Sequence, residues 1–340
     1  MKSIKKVEAL LQQAQRPLVM AHSAPDGDAI GSLLGLGWAL RAVGKWPTLA
    51  CADPVPENLA FLPGSGEIVR QSRGDEDLIV TLDSADLERL GSLYDEARFQ
   101  SLPVLNIDHH ITNVGFGCAR LIDPGAASTA QLVHALLRQL GWPIAPWTAT
   151  CLLTGLITDT RSFSTSNTDA EALRTAVALV EAGAPLAEIN AELNRNLSLG
   201  ALALWGQVLS NLQTQAGIVW AEVSYELQRR CGLGDPCANG TSGLVSFLAS
   251  AREAQIAALL TEKADGSVEV SLRSVPGIDV SAVALALGGG GHRQAAGCAL
   301  PGPLAAAREA LLQRLASLLP PPTTKPLGDS NVARSLSVSS

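Results

Sequence analysis

Three apolar, strand-like runs in the N-terminal part of the chain each stop at a cluster of acidic and histidine residues. PLVMA at 17–21 precedes His22, Asp26 and Asp28, LIVTL at 78–82 precedes Asp83, and PVLNI at 103–107 precedes Asp108, His109 and His110. Runs that are apolar throughout suit strands buried on both faces better than half-exposed ones. Helical patterns alternate with them, as in AIGSLLGLGWALRAVG before TLACA at 48–52. This alternation predicts an α/β fold whose N-terminal domain is a mostly parallel sheet with helices on both faces. Carboxyl ends of parallel strands line one crevice, so the three clusters should converge into a single site. Asp159, after the apolar stretch TGLIT, is a fourth contributor from a helical region.

With 340 residues the chain exceeds ordinary single-domain size. The pattern turns helical from about 124 to 183, and LSLGALALWGQVLSNLQTQ at 197–215 reads as a helix joining two bodies. A second alternation follows: GIVWAEVS and AQIAALLTE as strands around a helical TSGLVSFLASARE, then SVEVSLRS, a short helix at 278–287, the strand AGCAL and a last helix at 303–319. Ala264-Asp265-Gly266 reads as a hairpin turn. The predicted organisation is a domain at 1–196, a linker helix at 197–215, a smaller C-terminal α/β domain at 216–320 and a disordered Pro- and Ser-containing tail at 321–340.

Composition narrows the class of partner. A net charge of −7 and a pI near 5.3 argue against a coat for long duplex nucleic acid, which needs clustered Lys and Arg. A small anionic substrate held through metal ions remains compatible. Lys2, Lys5 and Lys6 lead into an amphipathic helical pattern rather than a secretory signal, and no stretch approaches membrane-spanning length. The six cysteines, 51, 118, 151, 231, 237 and 298, form no CxxC pair and no dense framework, which fits reduced thiols in the cytoplasm.

His22, Asp26, Asp28, Asp83, His109 and Asp159 supply four carboxylates and two imidazoles, enough for two divalent ions if one carboxylate bridges them. Oxygen and nitrogen ligands without thiolate favour manganese, with magnesium, iron or cobalt as alternatives. Such a pair clamps an in-line displacement at phosphorus, with a bridging water as nucleophile. Taken singly each cluster has a plainer reading: the first is a turn or helix N-cap, and Asp83 a strand-end cap. Adjacent histidines at the end of a buried strand are harder to place without polar partners, and the clusters take three of only five histidines. GGGGH at 288–292 could present N–H groups to an anion, with His292 beside them, but taken alone it reads first as a connection capped by Gly288. Arg273 could clamp a phosphate or be a solvated strand end. His134, on AQLVHALLRQL, is read as structural, and the six tryptophans form no stacking platform in sequence.

These motifs together resemble the DHH phosphoesterases, specifically the RecJ-like group with a DHH-associated C-terminal domain, and within it the bacterial nanoRNases that also dephosphorylate 3′-phosphoadenosine 5′-phosphate. HSAPDGDAIGS, TLDSAD, NIDHHITN, TGLITDTRSF, and SLRS with GGGGHRQAAG carry the resemblance, in the family's order and over nearly the whole chain to about residue 320. It implies that His22, Asp26 and Asp83 hold one manganese and that Asp28, Asp83, His109 and Asp159 hold the other, with Asp83 as the bridge. It further implies that Asp108 orients its neighbours, that His110 faces the substrate phosphate, and that Arg273, Gly289, Gly290, Gly291 and His292 bind the far phosphate or base. Asn113 and Ser128 would be further substrate contacts. The active site would lie in an interdomain cleft whose closure sets substrate length. One position departs from the family pattern: Arg161 stands in DTRSF where a glycine is usual.

The function implied is hydrolysis of short oligoribonucleotides, of 3′-phosphoadenosine 5′-phosphate, or of both. Alternatives are a cyclic-dinucleotide or linear-dinucleotide phosphodiesterase, a pyrophosphatase or exopolyphosphatase, and a non-catalytic nucleotide sensor. Loss of Asp83 or Asp159 would favour the sensor, and both are present. A homodimer is compatible with the sequence, though no residue argues for it.

Overall fold

A computed structural model describes residues 2–195, 197–233 and 240–319. Cys237 and the tail at 321–340 lie outside the described residues. The chain divides into two compact units, Met1–Asn196 and Leu197–Ser340.

The first unit holds five strands, β1 (Pro17–Ala21), β2 (Thr48–Ala50), β3 (Leu78–Leu82), β4 (Val104–Asp108) and β5 (Ala119–Ile122). They pair in parallel in the order β2-β1-β3-β4-β5. Every residue of β1, β3 and β4 is buried, as the unbroken apolar runs predict. β5 was not anticipated, because an edge strand carrying the exposed Arg120 has neither an apolar run nor strict alternation. The helices are α1 (Lys2–Gln13), α2 (Gly27–Ala42), α3 (Glu96–Ser101), α4 (Thr129–Leu140), α5 (Pro146–Asp159), α6 (Ala170–Glu181) and α7 (Leu186–Asn194). Val19, Val80, Leu105 and Ile107 on one sheet face pack in a large core with Leu33, Leu36, Val133 and Leu152 of α2, α4 and α5. The opposite face is covered more thinly: Leu18, Met20 and Ile79 meet Leu90 and Phe99 from a 3₁₀ turn at Glu88–Leu93 and the six-residue α3.

α2 and α5 cross closely because α2 has glycine at every fourth position. A Cβ on Gly27 would lie 2.3 Å from Thr158 Oγ1, one on Gly31 2.5 Å from the Cys151 carbonyl oxygen, and one on Gly35 2.5 Å from Leu152 Cδ2. Glycine inside a helix costs about 0.5–1 kcal/mol relative to alanine, so this row is explained by the approach it permits. That approach sets the first turn of α2, with Asp28, against the last turn of α5, which ends at Asp159.

The second unit comprises α8 (Leu199–Ser210), β6 (Gln213–Gln215), β7 (Ile218–Val223), α9 (Tyr225–Arg230), α10 (Leu244–Leu248), β8 (Ile256–Glu262), β9 (Val268–Ser274), α11 (Ser281–Ala286), β10 (Gly290–His292), β11 (Ala295–Leu300) and α12 (Leu304–Ala316). The sheet order is β10-β11-β9-β8-β7-β6, parallel only between β7 and β8. The stretch at 197–215 is therefore not one helix. It ends at Ser210 and continues as an edge strand, while Leu204 and Val208 of α8 sit in the core with Val219 and Leu259 of the sheet. The other sheet face packs Val270 and Leu272 against Val283 of α11 and Leu311 of α12. The hairpin turn is present: Gly266 has φ 81° and the Lys263 N–H donates to the Ser267 carbonyl at 2.8 Å. No described helix is long and apolar enough to cross a membrane.

Candidate metal centre and active site

The strand ends deliver their clusters to one place. After β1, the His22 Nδ1–H donates to the Ser23 carbonyl at 2.7 Å, which leaves Nε2 with the lone pair, 3.5 Å from Asp83 Oδ2. Asp26 caps α2, its Oδ1 accepting from the N–H groups of Asp28 and Ala29 at 3.0 Å each, and stays largely exposed. Asp28 is buried and accepts from the N–H groups of Thr129 (2.6 Å) and Ala130 (2.9 Å) at the start of α4. Helix N-termini favour negative charge, so α4 is suited to hold this carboxylate.

Asp83 follows β3 with φ 57°, a left-handed conformation uncommon outside glycine. Its Oδ1 accepts from Thr129 Oγ1 at 2.8 Å and lies 3.7 Å from His109 Nε2. His109 repeats the His22 arrangement, with Nδ1–H donating to the Ala126 carbonyl at 3.2 Å and Nε2 facing Asp159 Oδ2 at 3.5 Å. Asp108, fully buried, accepts from His110 Nδ1–H at 2.7 Å on Oδ1 and from Asn113 Nδ2 at 2.5 Å on Oδ2.

The electrostatics are those of crowded anions. Burial raises Asp28 well above the ordinary carboxylate range, with Asp83, Asp159 and Asp26 adding repulsion. Burial also pushes Asp159 up to about 6, against the opposing pull of His109. In Asp83 burial works in the same upward direction, yet His22, His110 and His109 hold it below its usual value. Three groups offer donor atoms within 4.8 Å of one another: His22, Asp26 and Asp83; Asp28, His109 and Asp159; and Asp83, His109 and His110. Oxygen and imidazole donors, with each metal-facing Nε2 fixed by a carbonyl on Nδ1, fit divalent cations that would offset the repulsion.

Two residues expected as substrate contacts have partners within the protein. Ser128 is fully buried and its Oγ caps α4 by accepting from the Gln131 N–H. Asn113 is committed internally: its amide donates to Asp108, Asn106 and Ser84, and its Oδ1 accepts from the Gly115 N–H. It braces Asp108. Thr129 and Asn106 were missed, although Asn106 gives a signal as the one polar residue inside the apolar run of β4. His134 is buried, and burial together with Arg138 lowers its pKa.

Within the second unit, Arg273, Ala295 and His292 share one cross-strand row of β9, β11 and β10. Ser271, Gly297 and Gly290 form the next row on the same face, so small residues floor the face beside Arg273 and His292. GGGGH thus divides into a helix cap and a short strand. Gly288, with φ 80°, closes α11, its N–H on the Leu285 carbonyl and that of Gly289 on the Ala284 carbonyl. A Cβ on Gly289 would lie 2.1 Å from the Gly297 carbonyl oxygen, and one on Gly291, at φ 136°, 2.6 Å from that of Ala295, whereas Gly290 faces open space. Arg161 opens a left-handed stretch of three residues, with φ 47°, 56° and 64° through Phe163.

This fold and donor set define a metal-dependent phosphoesterase, and the chain belongs to the DHH family. Residues 16–156 match the DHH family N-terminal domain and residues 238–319 the DHHA1 domain. The chain is 37% identical over 301 residues to the bifunctional oligoribonuclease and PAP phosphatase NrnA of Thermus thermophilus, covering 87% of this chain and 88% of that protein. It is 28% identical over 305 residues to the NrnA of Mycoplasma pneumoniae, covering 88% and 91%. A solved exopolyphosphatase-related protein of Bacteroides fragilis superposes with a TM-score of 0.86 at 26% identity, covering 93% of this chain and 96% of that one.

Proposed function

We propose that this protein is a manganese-dependent phosphoesterase that hydrolyses short oligoribonucleotides and 3′-phosphoadenosine 5′-phosphate in the cytoplasm. The observation that carries the two-metal reading is the disposition of Asp83: Oδ2 faces His22 Nε2 at 3.5 Å while Oδ1 faces His109 Nε2 at 3.7 Å. One carboxylate thereby falls in two donor groups, with His22 and Asp26 on one side and with His109 and His110 on the other, and His109 is shared in turn with Asp28 and Asp159. Bound there, two divalent ions supply Lewis-acid charge to the phosphoryl oxygens. Manganese suits the mixed imidazole and carboxylate set better than magnesium, which prefers oxygen alone.

The chain's own groups do the rest. His110 keeps Nε2 free while Asp108 holds Nδ1, and that hydrogen bond is the main influence raising the His110 pKa, with burial opposing it. A retained proton at Nε2 can pass to the leaving oxygen as water attacks phosphorus from the opposite side. Arg273 and His292, on one row with the open Gly290 on the next, are assigned to a second phosphate or base of the substrate. The two relatives named for oligoribonuclease and PAP phosphatase activity support this substrate class. The described cysteines are all free thiols, which agrees with a reducing compartment.

The test is incubation with manganese and, separately, 3′-phosphoadenosine 5′-phosphate, RNAs of two to five residues, and a linear dinucleotide. Turnover that stops with EDTA, and stops in Asp83→Ala while the fold is retained, is the expected result. Undiminished turnover in Asp83→Ala would refute the bridging role.

A further inference from the structure

Helix α6 is apolar on the side it turns away from the core. Its buried residues are Ala172, Thr175 and Leu179; Ala172 packs with Leu156 of α5, and Leu179 joins the main core. Val177 stands two residues from both Thr175 and Leu179, so at about 3.6 residues per turn it points outward. Leu173 and Val180 lie one turn to either side of it on the same face, and Leu173, Val177 and Val180 are 49%, 58% and 41% exposed. Polar residues normally occupy the outer face of a surface helix. An aliphatic stripe at that place, with i, i+4, i+7 spacing, is the pattern of a helix seated against another apolar surface.

The charges beside the stripe select the partner. Arg174 and Glu181 are both exposed and sit seven residues apart, two turns, on one flank of the stripe. Arg174 meets Glu171 of its own helix at 2.9 Å, an exposed pair of little energetic weight that leaves the guanidinium able to turn. Glu181 has no ion pair among the described residues. When two copies of such a helix pack antiparallel about a two-fold axis, the same flank of each lies on the same side of the seam with its order reversed. With the axis between Val177 and Ala178, Arg174 of each copy faces Glu181 of the other. Val177 then meets its own counterpart near the axis, and Leu173 falls about 3 Å along the helix from Val180 of the other copy. Parallel packing would set the charged flanks on opposite sides of the seam and pair no charge.

We propose that α6 is the contact surface for a second copy of this chain, the two helices packing antiparallel with Arg174 and Glu181 paired twice across the two-fold axis. The inference is independent of the phosphoesterase reading. Three half-exposed side chains supply less than the roughly 800 Å² per partner of a standard interface, so α6 alone holds a weak dimer that forms with concentration.

Sedimentation equilibrium of the full chain from about 1 to 200 µM tests it, with wild type, Val177→Asp, Arg174→Glu, Glu181→Arg and the double variant Arg174→Glu/Glu181→Arg compared. The wild type should pass from monomer to dimer within this range. Val177→Asp sets like charges against each other at the axis and should abolish the dimer. Each single charge reversal makes two like-charge contacts per interface and should weaken association at least about tenfold, whereas the double variant restores both pairs and should return to within about threefold of wild type. All of these positions are exposed, and circular dichroism confirms that each variant keeps its fold. A wild type that stays monomeric throughout would overturn the proposal, as would a dimer indifferent to Val177→Asp. A dimer that Val177→Asp disrupts but the charge reversals leave unchanged would overturn the antiparallel pairing, and so would a double variant no stronger than the single ones.

Discussion

Asp108 Oδ1 and His110 Nδ1 lie 2.7 Å apart, and Asp108 is wholly buried. A carboxylate that cannot reach substrate thus acts only through the imidazole it orients. His110→Ala should lower kcat by about 10²–10⁴, the usual worth of a positioned general acid, while manganese affinity is retained. Asp108→Asn should lower kcat by a smaller factor and move the alkaline limb of the pH–rate profile to lower pH, since the hydrogen bond that most raises His110 is altered. Equal manganese affinity with unchanged kcat in His110→Ala would remove the general-acid role.

How far this site was readable from sequence depends on the physics of each part. Strands buried on both faces leave unbroken apolar runs, so β1, β3 and β4 and the clusters at their ends were legible. β5 and β10 were not, because an edge strand needs little apolar surface and GGH carries no strand preference at all. Candidate ligands could be picked out because their chemistry is local to the residue, and the structure brings them into groups that could hold a metal ion. Ser128 and Asn113 could not be sorted by type, because whether a polar side chain faces inward or outward is settled by its partners in the fold. Ser128 caps its own helix, while Asn113 braces Asp108 together with Asn106.

Acid should weaken metal binding, and the sign follows from Asp28 and Asp159. Both are raised in the folded protein, Asp159 to about 6 from an ordinary 3.8. Between those values the metal-free fold holds a proton on Asp159 that the unfolded chain has released, so this contribution to stability is present at low pH and lost as pH rises through about 6. Metal needs the ionised carboxylates and competes with that proton. The Tm gap between manganese-loaded and EDTA-treated protein should therefore be small near pH 5 and widen above about pH 6, as read by thermal unfolding across a pH series. A gap independent of pH would contradict the shared use of these carboxylates.

The glycine row of α2 makes a prediction that couples stability to the site. A Cβ at Gly31 would meet backbone on α5, 2.5 Å from the Cys151 carbonyl oxygen and 2.8 Å from the Gly155 nitrogen, and backbone cannot rotate away. Gly31→Ala should force the helices apart and destabilise the fold by about 1–3 kcal/mol, overriding alanine's better helix propensity. Because Asp28 and Asp159 belong to these two helices, manganese affinity should fall with it. A stability gain in urea unfolding would show that the helices can separate without cost.

Arg161 separates backbone from charge. Its φ of 47° is a conformation that glycine adopts without strain, whereas a side chain there costs about 1–2 kcal/mol. Arg161→Gly relieves that strain, partly offset by the freedom glycine gains in the unfolded chain, for a net stabilisation of up to about 1 kcal/mol. Arg161→Ala keeps the strain and removes only the charge, so its stability should stay near wild type. If the guanidinium also attracts substrate, both variants should raise KM by the same factor, although only the glycine variant raises Tm. If instead the side chain merely narrows the approach to Asp159, both should admit longer oligonucleotides with KM for the shortest ones unchanged. Measuring KM against oligonucleotide length in the two variants therefore assigns the departure from the family pattern to charge or to bulk, with the Tm difference between them reporting the backbone alone.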